Sequence, residues 1–360
     1  MKLHAYRYRL PFANPLVTSK TAFRYREGLF LEAVTGKLNF FAEAAPLPGY
    51  SVESIEEVVQ LVHNTKREIV AALATVDPIA SLERLYNEKL KTTVSLQFAL
   101  DTLAYQIEAT QSSTPLQKYL FHDAQAQIPA NTIVSLQKSN FLQEIENKTE
   151  EGFNTLKFKV GIEFEQEFKR LRTIRSKFPD LVIRVDANQA WSLAEAMRNC
   201  EKLADIHVEY CEEPVIEATP KNFEILSQHC NLPLAIDESV LKTDFWPNLL
   251  PFSSYIILKP MLLGSFKRIF ETKRLADTHE NKTVITTSLE SGIGRAMTTI
   301  LASGIGAPAT AHGLATGSLL GRDVHSKSIY FNQGVYQLNN QLRSLGINRQ
   351  KLEEVSTNIF

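Results

Sequence analysis

The chain has 360 residues, 44% of them hydrophobic and 22% charged, with 39 Lys and Arg against 40 Asp and Glu. A net charge of −1 supplies no basic field of the kind that holds nucleic acid or an anionic membrane, so the expected partner is a small molecule. There is no run of about eighteen apolar residues, and the opening MKLHAYRYRLPF has no unbroken apolar stretch, which predicts a soluble, cytoplasmic protein with no membrane span.

In chain order, polar and apolar residues alternate around YRYRL, GLFLEAV and KLNFFAEAA, predicting antiparallel strands, and a helical stretch follows from Ser54 to Thr75. APLPGYS between them is a turn cluster, and SLQFALDTLAYQ carries apolar residues at helical spacing, which predicts the last helix of a first unit. From about residue 128, short apolar β-branched runs alternate with amphipathic helical stretches, the signature of βα units on a parallel sheet. The strand candidates are IPANTIVSL, TLKFKVG, LVIRVDAN, IHVEYCEEP, LPLAIDES, YIILKP, TVITTSLES and PATAHGL, and eight strands in about 190 residues predict closure into a barrel. Cys200, Cys211 and Cys230 fit neither a zinc site nor a disulfide framework and are expected as buried, reduced thiols.

Five successive strands end in an ionisable residue: Lys159, Asp186, Glu212, Asp237 and Lys259, spaced 27, 26, 25 and 22 residues apart. A barrel sets successive strand ends side by side around one mouth, so these side chains are expected to converge on one pocket. Asp186, Glu212 and Asp237 supply hard oxygen ligands without His or Cys, which selects Mg²⁺ or Mn²⁺. Of the pair Glu212 and Glu213, one points inward and the other away; Glu212 is assigned to the metal and Glu213 to its support. Lys157 lies two residues before Lys159 and shares its side of the strand, as Arg184 shares that of Asp186. Like charges about 6.6 Å apart repel by roughly 2.5 kcal/mol at an effective dielectric of about 20, which predicts lysine pKa values lowered by about two units, and an adjacent cation adds to this. Arg184 is expected either to support Asp186 or to touch substrate, with support favoured. His312 is expected to be packed rather than a ligand.

The Lys157–Lys159 pair, Asp186, Glu212 before a proline, Asp237 and Lys259 together resemble the muconate-lactonizing-enzyme subgroup of the enolase superfamily, over nearly the whole chain. The resemblance implies an α/β fold, a modified TIM barrel (β/α)7β with an N-terminal α+β capping domain: a cap over 1–125 to which 325–360 returns, and a catalytic barrel over 126–324. Mandelate-racemase-like members carry a His base where this chain has TTSLES, enolase proper lacks the lysine pair, and dipeptide epimerases show a DxD motif where this chain reads AHGLATG. The segments EAAPLPGYSVES, RVDANQAW, AIDES, ILKP and LESGIGRA are similar to those of the o-succinylbenzoate synthase family of menaquinone biosynthesis.

That similarity implies a Mg²⁺-dependent syn-dehydration of 2-succinyl-6-hydroxy-2,4-cyclohexadiene-1-carboxylate, a small-molecule carboxylate, to 2-succinylbenzoate. Lys159 is then the base, Lys259 an electrostatic partner across the pocket, and Lys157 a positioning cation. Ser288 and Glu290 stand where backbone groups of SLESG either hold the succinyl carboxylate or form a plain turn. The segment from Thr18 to Arg26 falls where the superfamily has a loop that closes over substrate. The alternative is an N-acylamino-acid racemase or dipeptide epimerase on the same scaffold, with Lys159 and Lys259 as opposed bases; assembly into a homo-oligomer is left open.

Overall fold

Strands that are apolar on both faces need something to bury each of them, and this organises the first unit. In the computed structural model, which describes residues 1–17, 22–242, 244–324, 331–338 and 347–359, β1 (Lys2–Val17), β2 (Ala22–Thr35) and β3 (Leu38–Ala44) form an antiparallel sheet. One face, with Leu29, Leu31, Phe40 and Ala42, packs on the helices Ile55–Leu73, Pro78–Glu88 and Val94–Gln111. The other face, with Tyr8, Leu10, Phe30 and Phe41, belongs to the large core shared with the barrel. This double burial explains why the alternation gives way to near-continuous apolar runs in GLFLEAV and NFFAEA. The first helix opens on a capping box in which Ser54 and Glu57 satisfy each other's backbone amides.

The IPANTIVSL run divides. β4 (Gln127–Pro129) pairs outside the barrel, and only β5 (Thr132–Val134) enters it; Pro129 has no N–H to give to a barrel neighbour. β5, β6 (Thr155–Lys159), β7 (Val182–Asp186), β8 (Tyr210–Glu212), β9 (Leu234–Ile236), β10 (Tyr255–Leu258) and β11 (Lys282–Ile285) then lie side by side, all parallel and in sequence order. Residues 311–313 close the ring through parallel bridges Thr286↔Gly313 and Ala130↔His312, so the PATAHGL run supplies the eighth stave as two bridges rather than a full strand. A Cβ on Gly313 would stand 2.6 Å from Thr286 Oγ1, so this close approach needs glycine. The structure is thus a modified TIM barrel with an N-terminal capping domain.

Beyond the barrel, β12 (Phe331–Asn332) pairs with β13 (Val335–Gln337), which in turn pairs with β4. β14 (Ser356–Asn358) adds antiparallel to β1 and brings the end of the chain back to the cap sheet. Cys200, Cys211 and Cys230 are buried and free, and the thiol of Cys200 is hydrogen-bonded with both others. Among the described residues no helix is long and apolar enough to cross a membrane.

A buried carboxylate ties the cap to the barrel. Asp101, on the cap helix Val94–Gln111, accepts from Phe266 N (2.7 Å) at the start of the barrel helix Phe266–Asp277 and from the Tyr86 hydroxyl (2.5 Å). Burial pushes its pKa from 3.8 up to about 7. The folded state therefore holds a proton that the unfolded chain releases near pH 4, so this group's contribution is full below about pH 4 and is lost as pH rises through about 7. Asp101→Asn is expected to remove that loss: urea unfolding from pH 4 to 8 should show wild type falling relative to the variant across this window, and parallel curves would contradict the assignment.

Candidate active site at the barrel mouth

Strand parity decides which residues enter the barrel. Leu156 and Phe158 of β6 are fully buried against the surrounding helices, so Lys157 and Lys159 project to the interior. In register, Lys157 pairs with Arg184 and Lys159 with Asp186; Asp186 in turn pairs with Glu212. Asp237 lies one residue past β9, and Lys259 one residue past β10. The structure brings all five ladder residues to one end of the barrel. β6 and β10, which carry the two outer lysines, are separated by the three strands that carry the acids.

The acids are almost wholly buried, and each has turned to an ammonium. Lys157 Nζ stands 2.9 Å from Asp186 Oδ2 and bonds Glu212 Oε2, so it lies between the two carboxylates. Lys259 Nζ donates to Asp237 Oδ2 at 2.5 Å. Lys159 is exposed at the mouth, and its charge acts on Asp186. Among the described residues no three His, Cys, Asp or Glu side chains are placed as a metal-enclosing group. The reason is visible in these ion pairs: Asp186 and Glu212 converge on one ammonium while Asp237 is drawn to another. The donor chemistry nevertheless fits a hard divalent cation, with three carboxylates on neighbouring strand ends and Asp237 Oδ1 buried without a hydrogen-bond partner.

For Lys157 and Lys259 the expected lowering of pKa is corrected. Burial opposes the charge on Lys157, but Asp186, Glu212 and Asp237 outweigh it and hold the amine well above its ordinary value. Lys259 is likewise raised, burial being outweighed by Asp237 and Glu238. Repulsion between lysines is a smaller effect than attraction to several carboxylates in a low-dielectric interior. Burial also opposes the charge on Asp186, yet Lys157, Lys159 and Lys259 keep its carboxyl below the usual range, while burial and the neighbouring acids push Glu212 up.

Around this centre the other sequence candidates take distinct places. Glu213, at φ 41° and fully buried, turns away from the mouth and accepts from Asp237 N (2.8 Å), Ser239 N (2.9 Å), Ser239 Oγ (2.8 Å) and Gln189 Nε2 (2.9 Å). It fixes the backbone of Asp237. Arg184 differs from expectation: its hydrogen bonds run to Glu209 (2.5 Å), Asn131 (3.1 Å) and the Ala311 carbonyl (2.6 Å), and it lies 4.8 Å from the Tyr210 ring centroid, rather than meeting Asp186. Its long side chain reaches an available carboxylate in the barrel wall. His312 is buried, accepts from Ile285 N at 3.1 Å, and is held at a pKa of about 3 by burial and Arg184.

The backbone of SLESG is largely committed. Ser288 N donates to Glu290, Ser291 N to Glu43 (2.9 Å), and Gly292 N to Asp323 (2.8 Å), so these amides form a turn and do not face a ligand. Glu290 also accepts from Thr298 Oγ1 at 2.7 Å, and burial raises its pKa. The Ser288 hydroxyl is different: it is buried with no partner. Of the Thr18–Arg26 segment, the first four residues lie outside the described residues and the rest begin β2. Arg26 is buried and donates to the carbonyls of Ala45 and Pro46 rather than facing the mouth.

Three participants escape the strand-end pattern. Glu238, next to Asp237, has a buried oxygen without a partner and is pushed to a pKa of about 7 by burial and by Asp237. Asn188 joins the two acidic strands, its N–H on Asp186 (3.0 Å) and its amide on Glu238 (3.0 Å). Ile133 pairs in register with Lys157, hence faces the interior, and is 46% exposed between buried Thr132 and Val134, which marks it as pocket wall. The RVDAN and AIDES segments hold the first two, but adjacency alone does not say which way such residues turn.

With this geometry in place, the comparisons with known proteins are consistent. The family described as "Enolase C-terminal domain-like" matches residues 140–346, and "MenC, N-terminal domain" matches residues 1–83. The chain belongs to the enolase C-terminal domain-like family and is an enzyme of the enolase superfamily. It is similar to the o-succinylbenzoate synthase of Desulfotalea psychrophila, 33% identical over 55% of this chain and 56% of that one, so the match spans about half of that relative. It is also similar to the o-succinylbenzoate synthase of Haemophilus influenzae, 28% identical over 80% of this chain and 82% of that one. The crystal structure of the N-succinyl Arg/Lys racemase of Bacillus cereus shares the fold, with a TM-score of 0.86 at 20% identity, covering 100% of this chain and 99% of that one.

Lys157 does the work of a cation between two buried acids, which gives a test. Lys157→Met should destabilise the metal-free protein by about 3 kcal/mol or more, because the acids lose their counter-charge. Added Mg²⁺ should then raise the melting temperature of the variant more than that of wild type, because Asp186 and Glu212, freed of the ammonium, would hold the cation in the folded state only. Equal Mg²⁺ shifts in calorimetry would contradict a shared place.

Proposed function

We propose that the chain is an o-succinylbenzoate synthase, dehydrating 2-succinyl-6-hydroxy-2,4-cyclohexadiene-1-carboxylate to 2-succinylbenzoate and water. The observation that carries this is the order of charges around the mouth: acids on β7, β8 and the end of β9, with lysines on β6 and after β10. The likeness to two o-succinylbenzoate synthases supports dehydration among the reactions such a site can perform, and a relative named N-succinyl-L-Arg/Lys racemase supports the second reading below. Enolase superfamily members use Mg²⁺. Asp186, Glu212 and Asp237 would hold Mg²⁺, or Mn²⁺, which when bound supplies positive charge to the substrate carboxylate and so acidifies the proton α to it.

The chain's own residues do the rest. Lys159, exposed at the mouth end of β6, takes the α proton as general base. Its ammonium returns that proton to the 6-hydroxyl leaving from the same face: the C–O bond breaks, water departs, and the ring becomes aromatic. Lys259 stays an ammonium, the form that Asp237 and Glu238 favour, and stabilises negative charge on the ring from the opposite side. Lys157 holds Asp186 and Glu212 in place until a cation takes over their charge. Ile133 offers an apolar wall to the ring, and the unpartnered Ser288 hydroxyl is the contact for the succinyl end. Val284 lines the barrel interior, and Thr286 and Ser288 follow it at the same parity along the chain after β11.

A second reading, racemisation of an N-succinylamino acid, is favoured by the placement of two lysines on separated strands and by the likeness to the racemase fold. It requires Lys259 to act as a base from its place beside Asp237, to which it donates. Lys159→Ala is expected to lose dehydratase turnover by about 10³-fold or more while titrating with Mn²⁺ like wild type. Undiminished turnover would refute the base, and racemisation without dehydration in the wild type would refute the reaction.

A further inference from the structure

Three hydrogen bonds cross from one cap carboxylate into the barrel turn that carries Ser288. Glu43, at the end of β3, accepts from Ser291 N (2.9 Å), from the Ser291 hydroxyl and from Gly294 N (2.8 Å), at the start of the helix Gly292–Ile305. The Tyr8 hydroxyl of β1 donates to it from the cap side. Glu43 is 1% exposed. A Cβ on Gly294 would stand 2.9 Å from Glu43 Oε2 and 2.7 Å from Glu290 Cγ, so only glycine lets the cap carboxylate reach this amide.

The same turn is held from its other side. Glu290 folds back onto Ser288 N and Thr298 Oγ1, and Asp323 takes Gly292 N. Between these clamps Leu289 sits at φ 64°, a left-handed conformation that is costly for a side-chain-bearing residue and persists only where its surroundings fix it. The outcome is a buried Ser288 hydroxyl with no hydrogen-bond partner, in the turn just after β11, whose last residue Ile285 pairs with Leu258 beside Lys259. Leaving such a group unsatisfied is costly, and a turn clamped at the amides of Ser288, Ser291 and Gly292 has little freedom to relieve it.

Resting on the reading of Ser288 as the contact for the distal polar end of the substrate, we propose that Glu43 is a positioning residue: a cap carboxylate that locks the turn after β11 and thereby aims the Ser288 hydroxyl. The cap then shapes the active site from behind, through the helix Gly292–Ile305. Docking of the two units does not depend on Glu43 alone, because Asp101 holds Phe266 N and the apolar face of the cap sheet packs into the shared core.

The test compares Glu43→Gln and Gly294→Ala with Val62→Ala, a cap-core variant that loses stability without touching the turn. Each is followed by steady-state kinetics on whichever substrate the wild type turns over, the cyclohexadiene carboxylate or an N-succinylamino acid. Hydrogen exchange is read on peptides spanning 288–296. Glu43→Gln, which turns one acceptor into a donor against the Ser291 and Gly294 amides, should raise KM about tenfold with kcat within about threefold, and Glu43→Asp should recover part of this. Exchange in 288–296 should accelerate about tenfold in Glu43→Gln and in Gly294→Ala, and stay at the wild-type rate in Val62→Ala. Wild-type KM and exchange in Glu43→Gln, or the same changes in Val62→Ala, would overturn the assignment. If wild type turns over neither substrate, the dehydratase reading fails by itself, and the exchange rates still decide whether Glu43 holds the turn.

Discussion

Buried carboxylates need either a counter-charge or a full set of hydrogen-bond donors, and the barrel mouth is built around that requirement. Asp186, Glu212 and Asp237 are each no more than 3% exposed, and every one is matched to a lysine from another strand. Burying both sides of β6 to β9 would be simpler with apolar residues, and the barrel does so elsewhere: Tyr210, Ala235, Tyr255, Ile257 and Val284 fill its interior as an apolar cluster. The ladder acids gather at one end, whereas Arg184, in register with Tyr210, pairs with Glu209 farther down the barrel. The gathering of acids and lysines at the rim is what turns a stable fold into a site.

The supporting residues extend the same logic outward. Glu213 receives four hydrogen bonds and so fixes Asp237. Asn188 links Asp186 to Glu238, and Arg184 satisfies Glu209, Asn131 and Ala311 in the wall. The cap repeats the device at a larger scale, with Glu43 and Asp101 each receiving the first amides of a barrel helix, where the helix dipole favours negative charge. Both helices follow strands that end at the mouth, so contact between the units bears on the pocket itself.

Much of this was legible in the chain. A period of 22 to 27 residues between charged strand ends is the length of a βα unit, and strand parity alone turned Lys157 and Arg184 inward. Parity says nothing about where a long side chain goes once inside, which is why Arg184 was expected near Asp186 and is found on Glu209. The pKa of Lys157 differs from the sequence expectation because repulsion between neighbours in sequence is easy to count, whereas attraction to acids from three other strands appears only in the folded barrel. The role of Glu43 was hidden for the same reason: its partners lie about 250 residues away along the chain. Turn amides in SLESG read as free in sequence because the acids that occupy them come from β3 and from Asp323.

The account stands or falls on whether the three acids share one divalent cation with amines on either side. A crystal structure with Mg²⁺ and 2-succinylbenzoate measures this directly. The expected density has Asp186, Glu212 and Asp237 bound to a single ion that also meets the product carboxylate, with Lys159 and Lys259 on opposite faces of the ring. An ion bound elsewhere, or both lysines on the same face of the product, would contradict it.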